Sequence, residues 1–521
     1  MTTLFNVNDQ METFLPLPDM IRALAARQPE HAALIQDERR VSYAELDAAM
    51  DRVAAALQRD GVKPGESVSI CAATSIEYAL AFLGALRAGA AVAPLAPSST
   101  AESIAAMVAD SGAKLFFLDT GVAEALKEAP PEIGAKLIAL EPGAPGAAFT
   151  EWLAPNGAKP APVVIDEKMP FNIIYSSGTT GAPKGIVQSH GMRFQHIMRA
   201  QAMGYGPGAV TLLSTPLYSN TTLVSFFPTL GLGGAAVLMK KFEAGQYLDL
   251  AQRHRVTHTM LVPVQYSRIM AWPDFDRYDL SSFVMKFCTS APFSAALKAD
   301  ILKRWPGGLI EYFGMTEGGG TCVLIAHAHP DKLHTVGTPA PGHDIRVIDE
   351  DGRELARGEA GEIVGRSPIM MSGYHNRKEQ TEAAIWTSPE GLTFIRTGDV
   401  GRFDADGFLE LMDRKKDMII SGGFNIYPSD LEAVLRQHPD VADVAVVGAP
   451  SAEWGETPVA FVVSRGASAD ELRAFANERL GKTQRIAAVE LIDDLPRSHI
   501  GKVLKRELRD AYVARSGSTT R

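Results

Sequence analysis

The chain has 521 residues, 46% of them hydrophobic and 21% charged, with a formal net charge of -10. At roughly 150 residues per domain this is three or four structural lobes, and a chain of that size buries enough surface to hold a core without disulfides or a structural metal, which excludes a single miniature fold and a mainly disordered protein. The acidic balance argues against nucleic-acid binding, whose footprint is a basic surface.

In chain order, Met1–Asp19 carries acids and prolines where a secretory signal needs a basic start and an apolar run. Cys71, Cys288 and Cys322 are widely spaced and odd in number, which predicts buried thiols of a reducing compartment. The expected location is the cytoplasm. Ser42 followed by Glu45 has capping-box spacing, and Leu46, Met50, Val53 and Leu57 recur on one helical face, predicting an amphipathic helix that Gly61 ends. Strand, helix, strand, helix and strand are then predicted at Val68–Cys71, Tyr78–Arg87, Ala91–Pro94, Ser103–Ala109 and Leu115–Leu118. Alternation of this kind predicts an α/β architecture with parallel strands.

The Ala/Pro/Gly-rich stretch Glu141–Pro162 is expected as a surface connection, after which the alternation resumes from Phe171 to about Val336. Residues 200–239 contain no Asp, Glu, Lys or Arg, but Pro207, Pro216, Pro228 and several glycines interrupt them. A buried, uncharged cavity wall is predicted there rather than a membrane span. Beyond Gly342, short extended pieces with turns at Asp351-Gly352, Gly358, Gly373 and Asp404–Gly407 predict a β-rich lobe, and from Lys415 a mixed α/β pattern returns.

The most informative segment is Ser176-Ser177-Gly178-Thr179-Thr180-Gly181-Ala182-Pro183-Lys184-Gly185, entered from apolar Ile173–Tyr175 and left through Ile186-Val187. Glycines let backbone N–H groups converge, hydroxyls add donors and Lys184 adds charge, a nest suited to a polyphosphate. Taken alone the segment also reads as a flexible Ser/Gly hairpin loop. It is not a Walker A loop, which needs four residues between its glycines and a Gly-Lys-[Ser/Thr] ending. His190 and His196, just beyond it, are expected to satisfy hydrogen bonds near the loop.

This segment closely resembles the phosphate loop of the adenylate-forming superfamily, which includes acyl- and aryl-CoA synthetases, luciferase-like enzymes and peptide-synthetase adenylation domains. Further motifs follow in that family's order: Tyr312–Glu317, Thr397-Gly398-Asp399, Asp413–Asp417 leading to Gly422–Pro428, and Gly501-Lys502. The resemblance covers nearly the whole chain. It implies a large N-terminal domain, residues 1–414, of two α/β subdomains and a β-rich lobe, followed by a small mobile α+β domain, residues 415–521.

The resemblance also implies roles. Ser176, Ser177, Gly178, Thr179, Thr180, Gly181 and Lys184 would bind nucleotide phosphates. Phe313 would stack on adenine, although alone it reads equally as a core phenylalanine. Thr316 would donate to the α-phosphate and Glu317 would hold Mg²⁺, which favours one or two carboxylates beside phosphate oxygens. Asp399 would clamp the ribose, with Arg414 as a second nucleotide contact. Lys502 would offset the charge gathering as a carboxylate attacks the α-phosphate, though without its motif it is a surface lysine. Lys416 aligns with the hinge about which the C-terminal domain turns, and Gly422-Gly423 with the passage for pantetheine.

The family's acyl pocket maps to Tyr218, Ser219, Asn220, Ser290, Ala291, Gly314 and Met315. Amino-acid-activating relatives carry Asp in the first segment; this chain does not, so an α-amino acid leaves its ammonium unpaired. No cation within 200–239 pairs a second carboxylate, which points to an uncharged fatty or aromatic acid. Ser219 departs from the His that many relatives use to gate the pocket. The expectation is an AMP-forming carboxylate–CoA ligase using ATP, Mg²⁺ and coenzyme A, with no membrane span, and a homodimer as one option for its assembly. A stand-alone enzyme that loads a carrier protein and a non-catalytic nucleotide-binding module are the alternatives.

Overall fold

A computed structural model describes residues 13–128, 133–176, 183–414, 417–421, 424–451, 454–481, 484–498 and 502–517. They form two compact units. The first runs to Leu333 and includes Pro339–Asp344 and Arg366–Ile395; the second holds His334–Thr338, Ile345–Gly365 and the chain from Arg396.

The first unit contains an eight-stranded sheet and most of a nine-stranded one. In the eight-stranded sheet, Ser67–Cys71 lies between Ala91–Leu95 and Leu115–Leu118, all parallel, as the alternating pattern predicts. In the nine-stranded sheet, His258–Leu261 lies between Val210–Leu213 and Met285–Cys288, again parallel. One core joins both sheets through helices Leu17–Arg27, Tyr43–Arg59, Ile76–Arg87 and Asn220–Gly231. The capping box forms as predicted: Glu45 N–H donates to Ser42 Oγ at 3.2 Å, and Ser42 N–H to Glu45 Oε2 at 2.8 Å.

The charge-free stretch is the buried helix Asn220–Gly231 with the buried strand Ala235–Leu238. Among the described residues no helix is long and apolar enough to cross a membrane. The three cysteines are free and buried. The stretch expected as a surface connection is partly core instead. Helix Phe149–Trp152 stacks its two aromatic rings against each other and edge-on to Phe117, and Trp152 Nε1 donates to Asp60 Oδ2 at 2.7 Å. Two large rings outweigh the Pro/Gly composition around them, because each removes well over 100 Å² of apolar surface from water.

In the second unit, strand Thr393–Phe403, which begins in the first, pairs antiparallel with Leu409–Arg414, giving the expected β-rich lobe. A further sheet is built on the long hairpin Val441–Ser451 and Gly455–Ser464. Its strand residues alternate between two cores. Val444 and Val446 pack with helices Pro428–Leu435 and Ala469–Arg479; Ala445 and Val447 pack with Leu508 and Tyr512 of helix Lys505–Gly517.

Candidate active site

The phosphate-loop segment joins two antiparallel strands, Pro170–Ser176 and Lys184–Ser189, with Ser176 opposite Lys184 at the neck. Ser177, Gly178, Thr179, Thr180 and Gly181 lie outside the described residues. The returning strand is flanked by Gly373-Tyr374, in register with Val187 and Ile186. That edge seats the Tyr374 ring 5.2 Å from the Lys184 ammonium, a cation–π distance. The Tyr374 hydroxyl donates to Glu317 Oε1 at 2.9 Å, and burial, reinforced by the Glu317 charge, pushes the phenol well above its usual range. Tyr374 therefore contacts both Lys184 and Glu317.

Glu317 arrives from the nine-stranded sheet. Strand Gly308–Gly314 runs parallel to Met285–Cys288 and antiparallel to Thr321–Ile325, with Phe313 opposite Cys322. Phe313 is only half-buried and lies outside the core, and Gly314 beside it is exposed. The chain then turns through Met315, Thr316 and Glu317 to Gly318, whose N–H donates to the Met315 carbonyl at 3.0 Å. Gly318 has φ +74°, and a Cβ there would stand 2.4 Å from the Ile369 carbonyl oxygen. Neighbouring Met371 N–H holds the Glu317 carbonyl at 2.8 Å, and Gln188 Nε2 holds that of Thr316 at 2.7 Å.

The acid-side residues also come together. Tyr218 and Ser219 are buried at the entrance to helix Asn220–Gly231; Ser219 is its N-cap, but its hydroxyl makes no capping bond. Thr221 Oγ1 and Ser290 Oγ are 2.7 Å apart, and Thr289 Oγ1 donates to the Tyr312 carbonyl at 2.9 Å. These two bonds tie the helix start and the 289–291 loop to the strand that carries Phe313. Ser290 adopts φ +83°, unusual for a residue with a side chain. Ala291 and Met315 are half-buried along the same wall.

In the second unit, Asp399 sits within a strand rather than a turn, opposite Arg414 in register. Its N–H donates to Thr397 Oγ1 at 3.0 Å, and Thr397 Oγ1 donates to the Ile363 carbonyl at 2.8 Å. Lys502 belongs to a small closed loop: Ser498 N–H donates to the Lys502 carbonyl at 2.8 Å, Lys502 N–H returns to Ser498 Oγ at 3.2 Å, and Arg497 bridges Val503. Lys416, Gly422 and Gly423 lie outside the described residues.

Two histidines depart from expectation. His190 is 2% exposed, neither of its ring nitrogens has a partner among the described residues, and its ring meets Phe171 edge-on at 4.9 Å. His196 is half-buried, and its enclosed Nδ1 has no partner among the described residues. Burial holds both rings neutral, reinforced at His196 by the charges of Arg193 and Arg199. Gln188 and Tyr374 escape a reading of the sequence. A polar residue continuing the apolar strand run Ile186-Val187 was the only signal for Gln188, and its partner is 128 residues away.

Comparison with known proteins agrees with this geometry. The family model for AMP-binding enzymes matches residues 21–375, and that for the AMP-binding enzyme C-terminal domain matches residues 430–502. The chain belongs to the AMP-binding enzymes of the adenylate-forming superfamily. It is 32% identical over 505 residues to the fatty acid acyl-carrier-protein ligase ScoC of Streptomyces coeruleorubidus, covering 94% of this chain and 95% of that one. It is also 32% identical over 525 residues to 4-coumarate–CoA ligase-like 9 of Oryza sativa subsp. japonica, covering 96% and 93%. Among solved structures, ATP-bound MatB from Rhodopseudomonas palustris superposes with a TM-score of 0.85 at 28% identity, covering 96% of this chain and 99% of that one.

Proposed function

We propose that the chain is an AMP-forming carboxylate–CoA ligase that first joins an uncharged fatty or aromatic acid to AMP, releasing pyrophosphate, and then passes the acyl group to the thiol of coenzyme A. The observation that carries this reading is the contact of Tyr374 with both Lys184 and Glu317, in the same unit as the uncharged wall of Tyr218, Asn220 and Ser290.

In this reading Ser176, Ser177, Gly178, Thr179, Thr180, Gly181 and Lys184 hold the phosphates, Phe313 stacks on the adenine, and Asp399 and Arg414 hold the ribose. Thr316 donates to the α-phosphate. Glu317 suits Mg²⁺: one carboxylate oxygen is bound by Tyr374, and the other has no partner among the described residues, matching an ion that takes one or two carboxylates and fills its shell with phosphate oxygens and water. When bound, the ion supplies charge neutralisation at the phosphates. Lys502 offsets charge during adenylation. The body of residues 415–521 then turns about Lys416 so that Gly422-Gly423 admits pantetheine.

The acid class follows from the wall. Tyr218 and the helix after it are buried and uncharged. One cation does reach this wall from outside the 200–239 stretch, since Arg193 Nη2 donates to Asn220 Oδ1 at 2.9 Å. Its bonds go to side-chain amides, which leaves the preference for an uncharged acid in place.

Acid-dependent ATP–pyrophosphate exchange across fatty and aromatic acids tests the first half-reaction, and exchange with none of them overturns the reading. The similarity to ScoC supports a second acceptor, a phosphopantetheinylated carrier protein. Offering that carrier and free coenzyme A side by side separates the two.

A further inference from the structure

Three buried side chains and the half-buried Asn220 form an unbroken hydrogen-bonded chain through the first unit. Arg193 Nη2 donates to Asn220 Oδ1, and Arg193 Nε to Asn172 Oδ1, both at 2.9 Å. Asn172 Nδ2 donates to Gln188 Oε1 at 2.9 Å, and Gln188 Nε2 to the Thr316 carbonyl at 2.7 Å. Asn172 and Gln188 are fully buried neighbours on the phosphate-loop hairpin, and Arg193 is 1% exposed.

The direction of this chain is fixed from both ends, since the Thr316 carbonyl can only accept and Arg193 can only donate. An amide can face either way, but a guanidinium only donates. Because Arg193 donates, Asn172 must present its oxygen to Arg193 and its NH₂ to Gln188, and Gln188 must then present its NH₂ to Thr316. Arg193 thereby anchors one end of a hydrogen-bonded chain whose other end is the turn that carries Thr316 and Glu317.

Stability alone explains this guanidinium poorly. Among the described residues it makes no ion pair and its Nη1 has no partner; its Cζ lies 5.9 and 5.3 Å from the ring centroids of Phe171 and Phe227, which pack edge-to-face on each other. Burial lowers its pKa to about 9, which leaves it cationic at neutral pH. A buried charge without a counter-ion is destabilising relative to an apolar residue of similar volume.

We infer that Arg193 is a positioning residue of the adenylation step: fixed between Asn220 of the acid wall and Asn172 of the phosphate hairpin, it sets where the α-phosphate turn stands relative to the bound acid. The inference rests on the proposed function, in which those two features hold the two reactants.

The test is acid-dependent ATP–pyrophosphate exchange by the full chain, with thermal unfolding measured alongside. Arg193→Met is expected to lower kcat by about 10²-fold, the scale for a reactant misplaced by roughly 1 Å, while KM for ATP changes little. Gln188→Met interrupts the same chain without touching Arg193 or Asn220 and is expected to produce a similar loss. The double variant is expected to be no worse than either single one, since residues acting as a unit are not additive. Arg193→Lys, which still only donates, is expected to recover part of the rate.

A folded Arg193→Met with wild-type kcat overturns the assignment, as do losses that multiply in the double variant. If Arg193→Met does not fold, Gln188→Met decides: wild-type kcat there overturns it equally. Wild-type protein that exchanges with no acid overturns the functional reading, and this assignment falls with it.

Discussion

A lysine that neutralises a transition state is needed only while that charge exists, which separates Lys502 from the other residues assigned to the reaction. Lys502→Ala is expected to lower acyl-adenylate formation by at least about 10²-fold, as for loss of other charge-stabilising groups, while thiolysis of supplied acyl-adenylate continues. Rapid-quench measurement of both half-reactions checks this, and equal loss of both contradicts a two-conformation cycle. Residues in motifs, such as Glu317, Asp399 and Lys502, are legible because their identity and order carry the information. Phe313 alone was ambiguous, and its half-burial at a strand end favours a stacking surface over core. Tyr374 was not legible because its meaning is its partner Glu317, 57 residues away in sequence.

At the scale of elements, the turn after the Phe313 strand depends on Gly318. Two separate penalties fall on a side chain there: the left-handed backbone, and the approach of Cβ to the Ile369 oxygen at 2.4 Å and Met192 Cε at 2.9 Å. Gly391, with φ +79° and no atom within 4 Å of an added Cβ, isolates the first. Gly391→Ala is expected to destabilise by about 1 kcal/mol and Gly318→Ala by about 3 kcal/mol, the difference being overpacking. Urea denaturation measures both. Gly318→Ala should also depress pyrophosphate exchange, because Met371 beside Ile369 holds the Glu317 carbonyl. The helices and strands of the first half were legible from periodicity and capping. Helix Phe149–Trp152 was not, because proline and glycine around it mask the two aromatic rings that pull it inward.

At the scale of the molecule, buried histidines set a pH dependence. Burial first, then the charges of Arg193 and Arg199, lower His196 to about 3, and burial lowers His190 to about 4. Each folded-state pKa lies below the ordinary imidazole value of 6.5, so the unfolded chain binds protons more readily. Their contribution to stability is complete above pH 6.5 and is lost as pH falls toward 4 and 3. His196→Gln removes one such group, and the fall in its urea midpoint between pH 7 and pH 5 is expected to be shallower than in the wild type. An identical slope contradicts the assignment. Comparing the two proteins cancels Glu311, whose carboxyl burial raises to about 7 against the opposing charge of Lys298, and which acts in the opposite sense.

The sequence by itself determined the α/β class and the family, because periodicity, capping and motif order are local properties that survive without coordinates. Only the tertiary structure decided that neither ring nitrogen of His190 has a partner among the described residues, that Tyr374 meets Glu317, and that Arg193 donates both to Asn220 and, through Asn172 and Gln188, toward Thr316. A sequence shows which groups donate and which accept. Which donor faces which acceptor, and how far water is excluded from the pair, follows from packing between segments far apart in the chain.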